Sequence, residues 1–273
     1  MKWSKEAEEA VSRVPFFVRK RVKKKVEEEA ARCGDGHVTL EHVRASQKRF
    51  LNNMEDDVKG YQVESCFGPS GCPNRAVADD ELARELVETL ESCDLREFLR
   101  KRVEGPLRMH HEFRVSVSDC PNACSRPQIV DVGLIGAIRP HTSDDPCSRC
   151  GSCVEICKEN AISLPEESGP PIFNFDSCVN CCQCIRVCPA GALQEHERGY
   201  RILLGGKLGR HPQLGIELPG IYSKDQAIRV VDICVQYFQK HNRKGERFGE
   251  IINRIGVAPL KESIDRQIKN ASD

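Results

Sequence analysis

The sequence has no run of about 18 apolar residues, the length that a membrane-spanning helix needs. It has no excess of charge either, because 41 Lys and Arg residues balance 41 Asp and Glu residues. A neutral chain is not attracted as a whole to nucleic acid or to a membrane surface. The first residues, MKWSKEAEEA, lack the apolar core of a secretion signal. We therefore expect a cytoplasmic protein that neither inserts into a membrane nor binds nucleic acid.

Cysteine, by contrast, is abundant, with 16 among 273 residues. A secreted chain could use so many cysteines as a disulfide scaffold. The missing secretion signal and the C-x-x-C repeats argue against a scaffold, because such repeats in a cytosolic protein bind metal. We therefore predict metal or iron–sulfur binding.

One cysteine spacing, C-x2-C-x2-C-x3-C, occurs twice, as CSRCGSCVEIC and as CVNCCQCIRVC. This spacing holds [4Fe–4S] clusters in bacterial ferredoxins, where the fourth cysteine of each run ligates the cluster of the other run. The first predicted ligand set is Cys147, Cys150, Cys153 and Cys188. The second predicted set is Cys178, Cys181, Cys184 and Cys157.

Zinc is the alternative to iron at these runs, and the presence of two complete copies favours clusters. Cys182 lies outside the spacing and is predicted to be a packed thiol. The segment resembles a 2[4Fe–4S] ferredoxin domain over about residues 141–195. That resemblance implies a short path for electrons, which needs an acceptor.

Four further cysteines lie outside the two runs. Cys66 and Cys72 belong to CFGPSGC, and Cys120 and Cys124 belong to SDCPNAC. The second pair follows an alternating segment, residues 113–117, that predicts a strand. The pair C-x5-C alone is weak evidence, because isolated buried thiols are common.

With these motifs the chain resembles the siroheme–[4Fe–4S] sulfite and nitrite reductase family. The matching stretches are CFGPSGC, SDCPNACSRPQIVDVGLIG and RGYRILLGGKLGRHP, in this order over about residues 60–260. The resemblance implies a third [4Fe–4S] cluster on Cys66, Cys72, Cys120 and Cys124. It also implies that Cys124 bridges this cluster to siroheme iron as the axial thiolate.

The ferredoxin-like segment interrupts the resemblance. Removing residues 141–196 brings VGLIGAIRP beside GYRILLGGK, as two neighbouring strands would lie. We therefore predict an α+β fold in which residues 53–140 and 196–273 form the cluster domain. Residues 141–195 are then an inserted ferredoxin domain, as in dissimilatory and anaerobic sulfite reductases.

Residues 1–52 are predicted to form a small helical domain. One helix is framed by Pro15 and Gly34, and Thr39 is the predicted N-cap of the next. The stretch WSKEAEEAVSRVPFFVRKRVKKKVEEEA resembles the helical domain at the C-terminus of a light-independent protochlorophyllide reductase subunit. The resemblance does not extend to the catalytic domain of that enzyme.

Local signals also predict helices in the cluster domain. Residues 79–104 are predicted to form one or two helices, with Asp79 or Asp80 as the cap. Ser223 and Gln226 form a capping box for a later helix. Two more helices are expected at the C-terminal end.

Basic residues are expected around siroheme and sulfite, because the first carries carboxylates and the second is an anion. The resemblance implies substrate contacts at Arg114, Arg126 and Lys207. It implies siroheme contacts at Arg75 and Arg210. Ordinary surface charge is the alternative for each of them.

The chain departs from the family in two respects. Where the family commonly has Pro-Arg-Lys-Phe-Lys before C-x3-C, this chain has HHEFR at residues 110–114. If Glu112 faced the pocket, it would repel an anionic substrate. Larger family members contain two copies of the fold and this chain has one. A complete pocket then needs a homo-oligomer or a partner subunit.

Two functions are compatible with these patterns. The first is a siroheme-dependent sulfite or nitrite reductase that takes electrons from a low-potential donor protein through three [4Fe–4S] clusters. The second is an electron-transfer protein of the same fold without siroheme or a substrate of its own. The altered basic residues favour the second function, and the intact C-x3-C segment favours the first.

Overall fold

The computed structural model describes residues 1–56 and 58–269. The chain divides into two compact units, Met1–Lys59 with Val103–His110 and Gly60–Arg102 with His111–Asp273. The first unit contains the segment predicted as a separate helical domain and extends beyond residue 52. Within the described ranges, no helix is both long enough and apolar enough to cross a membrane.

The first unit is mainly helical. Its elements are β1 (Lys2–Trp3), α1 (Lys5–Ser12), α2 (Phe16–Arg32), β2 (His37–Val38) and α3 (Leu40–Asp56). Helix α2 begins directly after Pro15 and ends before Gly34, whose φ is 78°, which confirms the predicted frame. The core consists of small buried side chains: Ala7, Val26, Ala30 and Val38.

The second unit is built on a five-stranded sheet. The strands of the whole unit are β3 (Tyr61–Ser65), β4 (Phe113–Ser118), β5 (Val132–Thr142), β6 (Ile162–Ser163), β7 (Ile172–Phe173), β8 (Leu193–Leu204) and β9 (Ile216–Glu217). The sheet order is β3-β4-β5-β8-β9, with β6 and β7 paired separately. Strands β3, β4 and β5 are parallel, whereas β8 runs antiparallel to β5 and to β9. This architecture confirms the predicted α+β class.

Helices surround this sheet. They are α4 (Leu82–Glu91), α5 (Leu95–Arg102), α6 (Ser152–Ile156), α7 (Gln183–Arg186), α8 (Lys224–His241), α9 (Phe248–Ile255) and α10 (Ala258–Lys269). The N-cap of α4 is Glu81, so the prediction of Asp79 or Asp80 is wrong by one or two residues. Asp79 still supports the start of the helix, because its Oδ1 accepts from the N–H groups of Glu81 and Leu82 at 3.0 and 3.1 Å. The capping box of Ser223 and Gln226 at the start of α8 is confirmed.

The centre of the sheet is the core of the second unit. Every residue of β4 except Arg114 is buried, and so are the first seven residues of β5. Parallel strands are normally covered on both faces, which explains these continuous runs of buried residues. Phe113 at the start of β4 packs against Phe238 of α8 and Phe248 of α9, with ring centroids 5.3 and 5.4 Å away.

Strands β5 and β8 form a long hairpin, which confirms the predicted pairing. The register runs from Val132 opposite Leu204 to Thr142 opposite Leu193, with one irregularity after Arg139. Residues 143–192 leave the sheet at the open end of this hairpin and return there. The ferredoxin-like segment therefore lies between two strands that pair directly.

Candidate functional site

Two cysteines outside the ferredoxin-like runs follow neighbouring strands. Cys66 directly follows β3, and Cys120 lies two residues beyond the end of β4. Because β3 and β4 are parallel and in register, their carboxyl ends meet at one edge of the sheet. The N–H of Cys66 donates to the carbonyl of Val117 at 3.0 Å, which joins the two strand ends.

The other two cysteines of this set come from the turns that follow. Cys72 is held by a hydrogen bond from its N–H to the Gly68 carbonyl at 3.3 Å. Burial raises the pKa of the Cys120 thiol, and the nearby Cys124, Cys66 and Cys72 raise it further. The structure thus brings together the four predicted cysteines of the third set, which we call the strand-end site.

Asp119 organises the strand-end site. Its N–H donates to Cys66 Sγ at 3.3 Å, and its carbonyl accepts from the N–H of Ala76 at 2.8 Å. Its carboxylate accepts from Arg75 Nε at 2.6 Å. A Cβ on Gly68 would overlap this carboxylate, so only glycine lets the Cys66 turn approach it so closely. Asp119 therefore holds in place both the turn that begins at Cys66 and the turn that begins at Cys120.

Cys124 lies on an exposed turn with a buried support. The Asn122 amide donates to Cys124 Sγ at 3.0 Å. The next residue, Ser125, is buried, and its hydroxyl donates to the Val117 carbonyl at 2.7 Å and lies 2.6 Å from Ser118 Oγ. The Cys124 thiol is thus presented to the surface by a turn that is fixed to the end of β4.

The ferredoxin-like segment contains two cysteine-lined cavities. The first has a volume of about 10 Å³, and its cysteines are Cys147, Cys150, Cys153 and Cys188. The second has a volume of about 20 Å³, and its cysteines are Cys157, Cys178, Cys181, Cys184 and the extra Cys182. The fourth cysteine of each run therefore faces the cavity of the other run, in the arrangement predicted from the spacing.

The two runs share a backbone pattern. Arg149 and Asn180, each just before the second cysteine of its run, have φ values of 57° and 60°. The residue after that cysteine is also left-handed in both runs, with φ of 79° at Gly151 and 59° at Cys182. Cys182 thus occupies a position that is glycine in the first run. It is buried, as predicted for a packed thiol.

Backbone N–H groups donate hydrogen bonds to two cysteine sulfurs of the ferredoxin-like segment, and burial raises the pKa of another of its cysteines. The N–H groups of Arg149 and Ala161 donate to the sulfurs of Cys147 and Cys157 at 3.4 and 3.3 Å. Burial, followed by the nearby Cys181 and Cys178, raises the pKa of Cys184 to about 12. A thiol with this pKa keeps its proton near neutrality unless a metal displaces it.

The second cavity lies next to the strand-end site. Arg186 of α7 donates to the carbonyl of Pro73 at 2.9 Å and also to that of Arg75. Pro73 directly follows Cys72. The N–H of Ile138 in β5 donates to the Asn180 carbonyl at 2.8 Å. The segment is therefore bound to the sheet through its second run, the one that supplies three cysteines to this cavity.

Three of the predicted basic residues are engaged in ion pairs. Arg75 binds Asp119 and Asp80 and is 14% exposed. Arg114 binds Glu64 at 2.9 Å. Lys207 binds Glu250 at 2.8 Å and is 13% exposed. These charges are already partly neutralised within the protein.

The other two predicted basic residues, Arg126 and Arg210, are exposed and pair with no acidic side chain in the described part of the chain. Arg126 lies two residues after Cys124, with φ of 58°. Arg210 lies in a hairpin closed by backbone hydrogen bonds between Lys207 and Gln213 at 2.9 and 3.0 Å. The base of this hairpin is joined to the Cys124 turn, because the N–H of Gly215 donates to the Gln128 carbonyl at 2.8 Å.

Glu112 does not lie on the surface, since it is only 4% exposed. Its charge acts on Tyr61, whose pKa is raised to about 12 by burial, by Glu91 and, to a smaller degree, by Glu112. Replacing Glu112 with lysine is therefore expected to destabilise the start of β4, because the new charge would be placed at a buried position.

Sequence reasoning missed three residues of the site: Asp119, Asn122 and Arg186. The first two stand beside cysteines in the quoted motif SDCPNAC, so their position was a usable signal. Arg186 lies in the second run but bonds to carbonyls 111 and 113 residues earlier in the chain. No local pattern marks such a contact.

The described residues contain no group of three or more His, Cys, Asp or Glu side chains arranged around a single metal ion. The cysteines of the segment line the two small cavities described above.

Two family models match the chain. The model described as "Nitrite and sulphite reductase 4Fe-4S domain" matches residues 61–271. The model described as "Proto-chlorophyllide reductase 57 kD subunit" matches residues 3–46. Both resemblances predicted from the sequence are thereby confirmed.

Curated relatives are similar over most of the chain. The "Coenzyme F420-dependent sulfite reductase" of Methanocaldococcus jannaschii is 31% identical over 83% of this chain, which spans 34% of that protein. One of the subunits of the anaerobic sulfite reductase of Salmonella typhimurium is 27% identical over 84% of this chain and 70% of that protein. The chain thus spans about a third of the first relative and most of the second.

Among solved structures, that of dissimilatory sulfite reductase I is similar in fold. Its TM-score is 0.51 at 20% identity, covering 80% of this chain and 57% of that one. The cysteine sites described above lie within the region that the nitrite and sulphite reductase model matches.

Proposed function

Because the chain belongs to the nitrite and sulphite reductase 4Fe-4S domain family, we propose that it is the electron-carrying and catalytic chain of a sulfite reductase. The observation that carries the proposal is the strand-end site, where Cys66, Cys72, Cys120 and Cys124 meet at the ends of β3 and β4. Two relatives named as sulfite reductases favour sulfite over nitrite.

The proposed cofactors include three [4Fe–4S] clusters, one at each group of four cysteines. The donor sets fit, since thiolates are the usual protein ligands of such clusters. The N–H groups directed at Cys66, Cys147 and Cys157 would stabilise the negative charge of bound sulfur. The thiols must lose their protons on assembly, so cluster binding and folding are coupled.

The proposed electron path follows the contacts of the segment. Cys150 of the first cavity is exposed, which makes that cavity the entry point for a low-potential donor protein. The second cavity follows, because its run donates to the Cys72–Arg75 turn through Arg186. The strand-end site is the last of the three.

Siroheme is proposed to lie on the outer side of the strand-end site. The residues present fit it in part: Cys124 is exposed, and so are Arg126, two residues later, and Arg210, both without an acidic partner in the described part of the chain. Cys124 would hold the siroheme iron through its thiolate, and the arginines would bind carboxylates of the macrocycle or the oxygens of sulfite. When bound, siroheme would supply an iron that binds the substrate sulfur. The paired Arg75, Arg114 and Lys207 would act mainly by fixing the surrounding turns.

We propose that a partner protein or a second copy of this chain completes the pocket. The hairpin beside the Cys124 turn exposes two leucines, Leu208 and Leu214. Exposed leucines next to a proposed cofactor need a cover that excludes water. The Salmonella typhimurium relative is named as one subunit of its enzyme, which is consistent with a partner here.

An electron-transfer protein without siroheme is the second candidate function. The ion pairs of Arg75, Arg114 and Lys207 favour it, because they leave fewer free cations than a siroheme with many carboxylates would use. In that case the strand-end site would pass its electron to another redox protein.

The visible spectrum of protein purified anaerobically from cells that make siroheme separates the two functions. We expect a chlorin-like Soret and red band in the wild type and in Cys93→Ser, whose thiol lies outside the three sites. Both bands should disappear in Cys124→Ser, together with sulfite reduction. Protein that is loaded with iron and shows only broad cluster absorption would support the electron-transfer function instead.

A further inference from the structure

The ferredoxin-like segment, residues 143–192, is acidic in a chain that is balanced overall. It carries seven acidic and three basic residues, whereas the whole chain has 41 of each kind. All seven carboxylates are exposed, and none forms an ion pair with a basic side chain in the described part of the chain. Their negative charge therefore faces solvent and is not used by the fold.

Arg149 holds an acidic loop at the rim of the first cavity. Its guanidinium donates to the carbonyl of Pro165 at 2.7 Å and also to that of Glu167. Arg149 stands directly before Cys150, which lines the cavity and is exposed. The exposed carboxylates of Glu166 and Glu167 are thereby fixed beside the opening of the first cavity.

A second pair of acidic residues reaches the same cavity from another stretch of the chain. Asp144 and Asp145 precede Cys147, the first cysteine that lines it. A Cβ on Gly191 would lie 3.7 Å from Asp145 Oδ2, and the next residue, Ala192, lines the cavity. Two separate pairs of carboxylates therefore flank the proposed point of electron entry.

An exposed isoleucine adds apolar surface to this rim. Ile172 of β7 is 56% exposed. It directly follows Pro171, which lines the first cavity, and it pairs with Ser163 of β6. Apolar surface surrounded by polar and charged groups is the usual composition of a protein interface. Electron-transfer partners use small interfaces of this kind, because they bind only briefly.

We propose that the low-potential donor docks on this surface through a basic face of its own. We call the surface the entry face; it consists of Asp144, Asp145, Cys150, Glu166, Glu167 and Ile172. The proposal rests on the proposed function, in which the first cavity holds the cluster that receives electrons. One electron leaves the donor, which is oxidised, and reduces that cluster, and no bond forms or breaks.

The charge of the entry face serves both speed and selection. Opposite charges on two proteins accelerate their encounter and orient the two surfaces before contact. An acidic redox protein is repelled by the same carboxylates, so the entry face discriminates between donors. The donor is thus a redox protein with lysine or arginine side chains around its redox centre.

Two redox proteins of opposite charge test the entry face: a basic cytochrome c and an acidic rubredoxin. Each is mixed in oxidised form, by stopped flow, with cluster-loaded protein that has been reduced with dithionite and desalted. We expect the rate with cytochrome c to fall about tenfold as salt rises from roughly 20 to 300 mM, because ions screen the attraction. The rate with rubredoxin should rise over the same range.

Charge-reversed variants assign the effect to the entry face. Glu166→Lys with Glu167→Lys should slow electron transfer to cytochrome c about tenfold at low salt and weaken its binding in titration calorimetry by a similar factor. Glu262→Lys with Asp265→Lys on α10 changes the net charge equally outside the segment and should leave both quantities within about twofold. Ile172→Ser should weaken binding about threefold at low and high salt alike, since apolar burial is not screened.

Iron content and cluster absorption would show that each variant is loaded. Equal rates and affinities for the two double variants, both fully loaded, would overturn this proposal and leave the proposed function standing. Wild-type protein that assembles no cluster in the first cavity would overturn both. Altered sedimentation of the Glu166→Lys with Glu167→Lys variant in the absence of cytochrome c would assign the face to a second copy of this chain, which also overturns the proposal.

Discussion

The two kinds of cysteine site in this protein are built in opposite ways. In the ferredoxin-like segment each run supplies three cysteines to one cavity within a few residues, on turns that repeat the same left-handed φ values. At the strand-end site the two cysteine pairs are about fifty residues apart and meet only because β3 and β4 are paired in register. The first kind depends on local backbone geometry and the second on the sheet.

This difference predicts different responses to mutation. A local site should tolerate changes in the sheet but not in its own turns. A site assembled by strand pairing should depend on the residues that join the strand ends, Asp119 above all. The predictions below test the contrast, from the largest expected effect to the smallest.

Removing the whole segment tests the two kinds of site most severely. Because β5 and β8 remain paired up to Thr142 and Leu193, residues 143–192 can be replaced by a two-residue Asn-Gly turn. We expect the strand-end cluster to survive and to be reduced normally by dithionite. Reduction by a protein donor should slow by on the order of a hundredfold, since a tethered relay is lost. A variant that cannot assemble the strand-end cluster would show that the segment is part of the core.

Substituting one cysteine at a time should show, from the iron content, that the cysteine sites assemble independently. Cys66→Ser should lower the cluster iron, siroheme iron not counted, from about twelve to about eight atoms per chain and leave both ferredoxin-type signals in electron paramagnetic resonance. Cys153→Ser should remove a ferredoxin-type signal and leave the strand-end cluster. Cys93→Ser is the matched control and should keep all the iron. Loss of all iron from Cys66→Ser would mean that the sites do not assemble independently.

Asp119 should matter to the strand-end site alone. Asp119→Ala removes the partner of Arg75 and should lower the free energy of unfolding by about 2–3 kcal/mol, because one side of a mostly buried ion pair is lost. Asp119→Asn keeps the shape and one acceptor and should cost about half as much. Denaturant unfolding of both variants measures this. Equal losses of strand-end and ferredoxin-type iron in Asp119→Ala would contradict the contrast.

The hydrogen bonds of Arg186 should affect the rate of electron transfer from the ferredoxin-like segment to the strand-end site. Arg186→Ala removes two hydrogen bonds to the carbonyls of the Cys72 turn and should cost about 1 kcal/mol, since the side chain is exposed. We expect slower reduction of the strand-end cluster at unchanged iron content in stopped-flow experiments. Arg149→Ala is the control, because Arg149 binds carbonyls of Pro165 and Glu167 inside the segment. If the control slows transfer equally, Arg186 has no special role.

The smallest effect concerns the left-handed position that the two runs share. Gly151→Ala introduces a Cβ that meets no atom within 4 Å, so its cost should be the backbone strain alone, about 1 kcal/mol. Cys182→Gly should relieve the same strain, partly offset by the loss of a buried thiol. Thermal unfolding of the cluster-loaded proteins measures both. A Gly151→Ala variant as stable as the wild type would show that the shared φ values do not constrain the runs.

Much of the fold was predictable because its signals are local. The frame of α2 between Pro15 and Gly34, the capping box of α8 and the strand at residues 113–117 each depend on neighbouring residues. The hairpin of β5 and β8 was predictable because a family resemblance resumed after an interruption. Burial of Glu112 was not predictable, since a charged residue before a strand is usually exposed.

The basic residues show the limit of sequence most clearly. The sequence offers five candidates for binding anions, and nothing in their neighbours distinguishes them. The tertiary structure neutralises Arg75, Arg114 and Lys207 with acids that lie 44, 50 and 43 residues away, and leaves Arg126 and Arg210 exposed. Coulomb energy depends on distance in space, so separation along the chain says little about it.

The sequence by itself determined the ligand chemistry: the cysteine spacing, the exchange of fourth cysteines between runs and the family. These follow from short loops whose geometry depends on a few residues. Only the tertiary structure decided that Asp119 joins the two cysteine turns and that Arg186 ties the second run to the strand-end site. Such contacts arise from strand register and helix packing, which bring together residues that no local pattern relates.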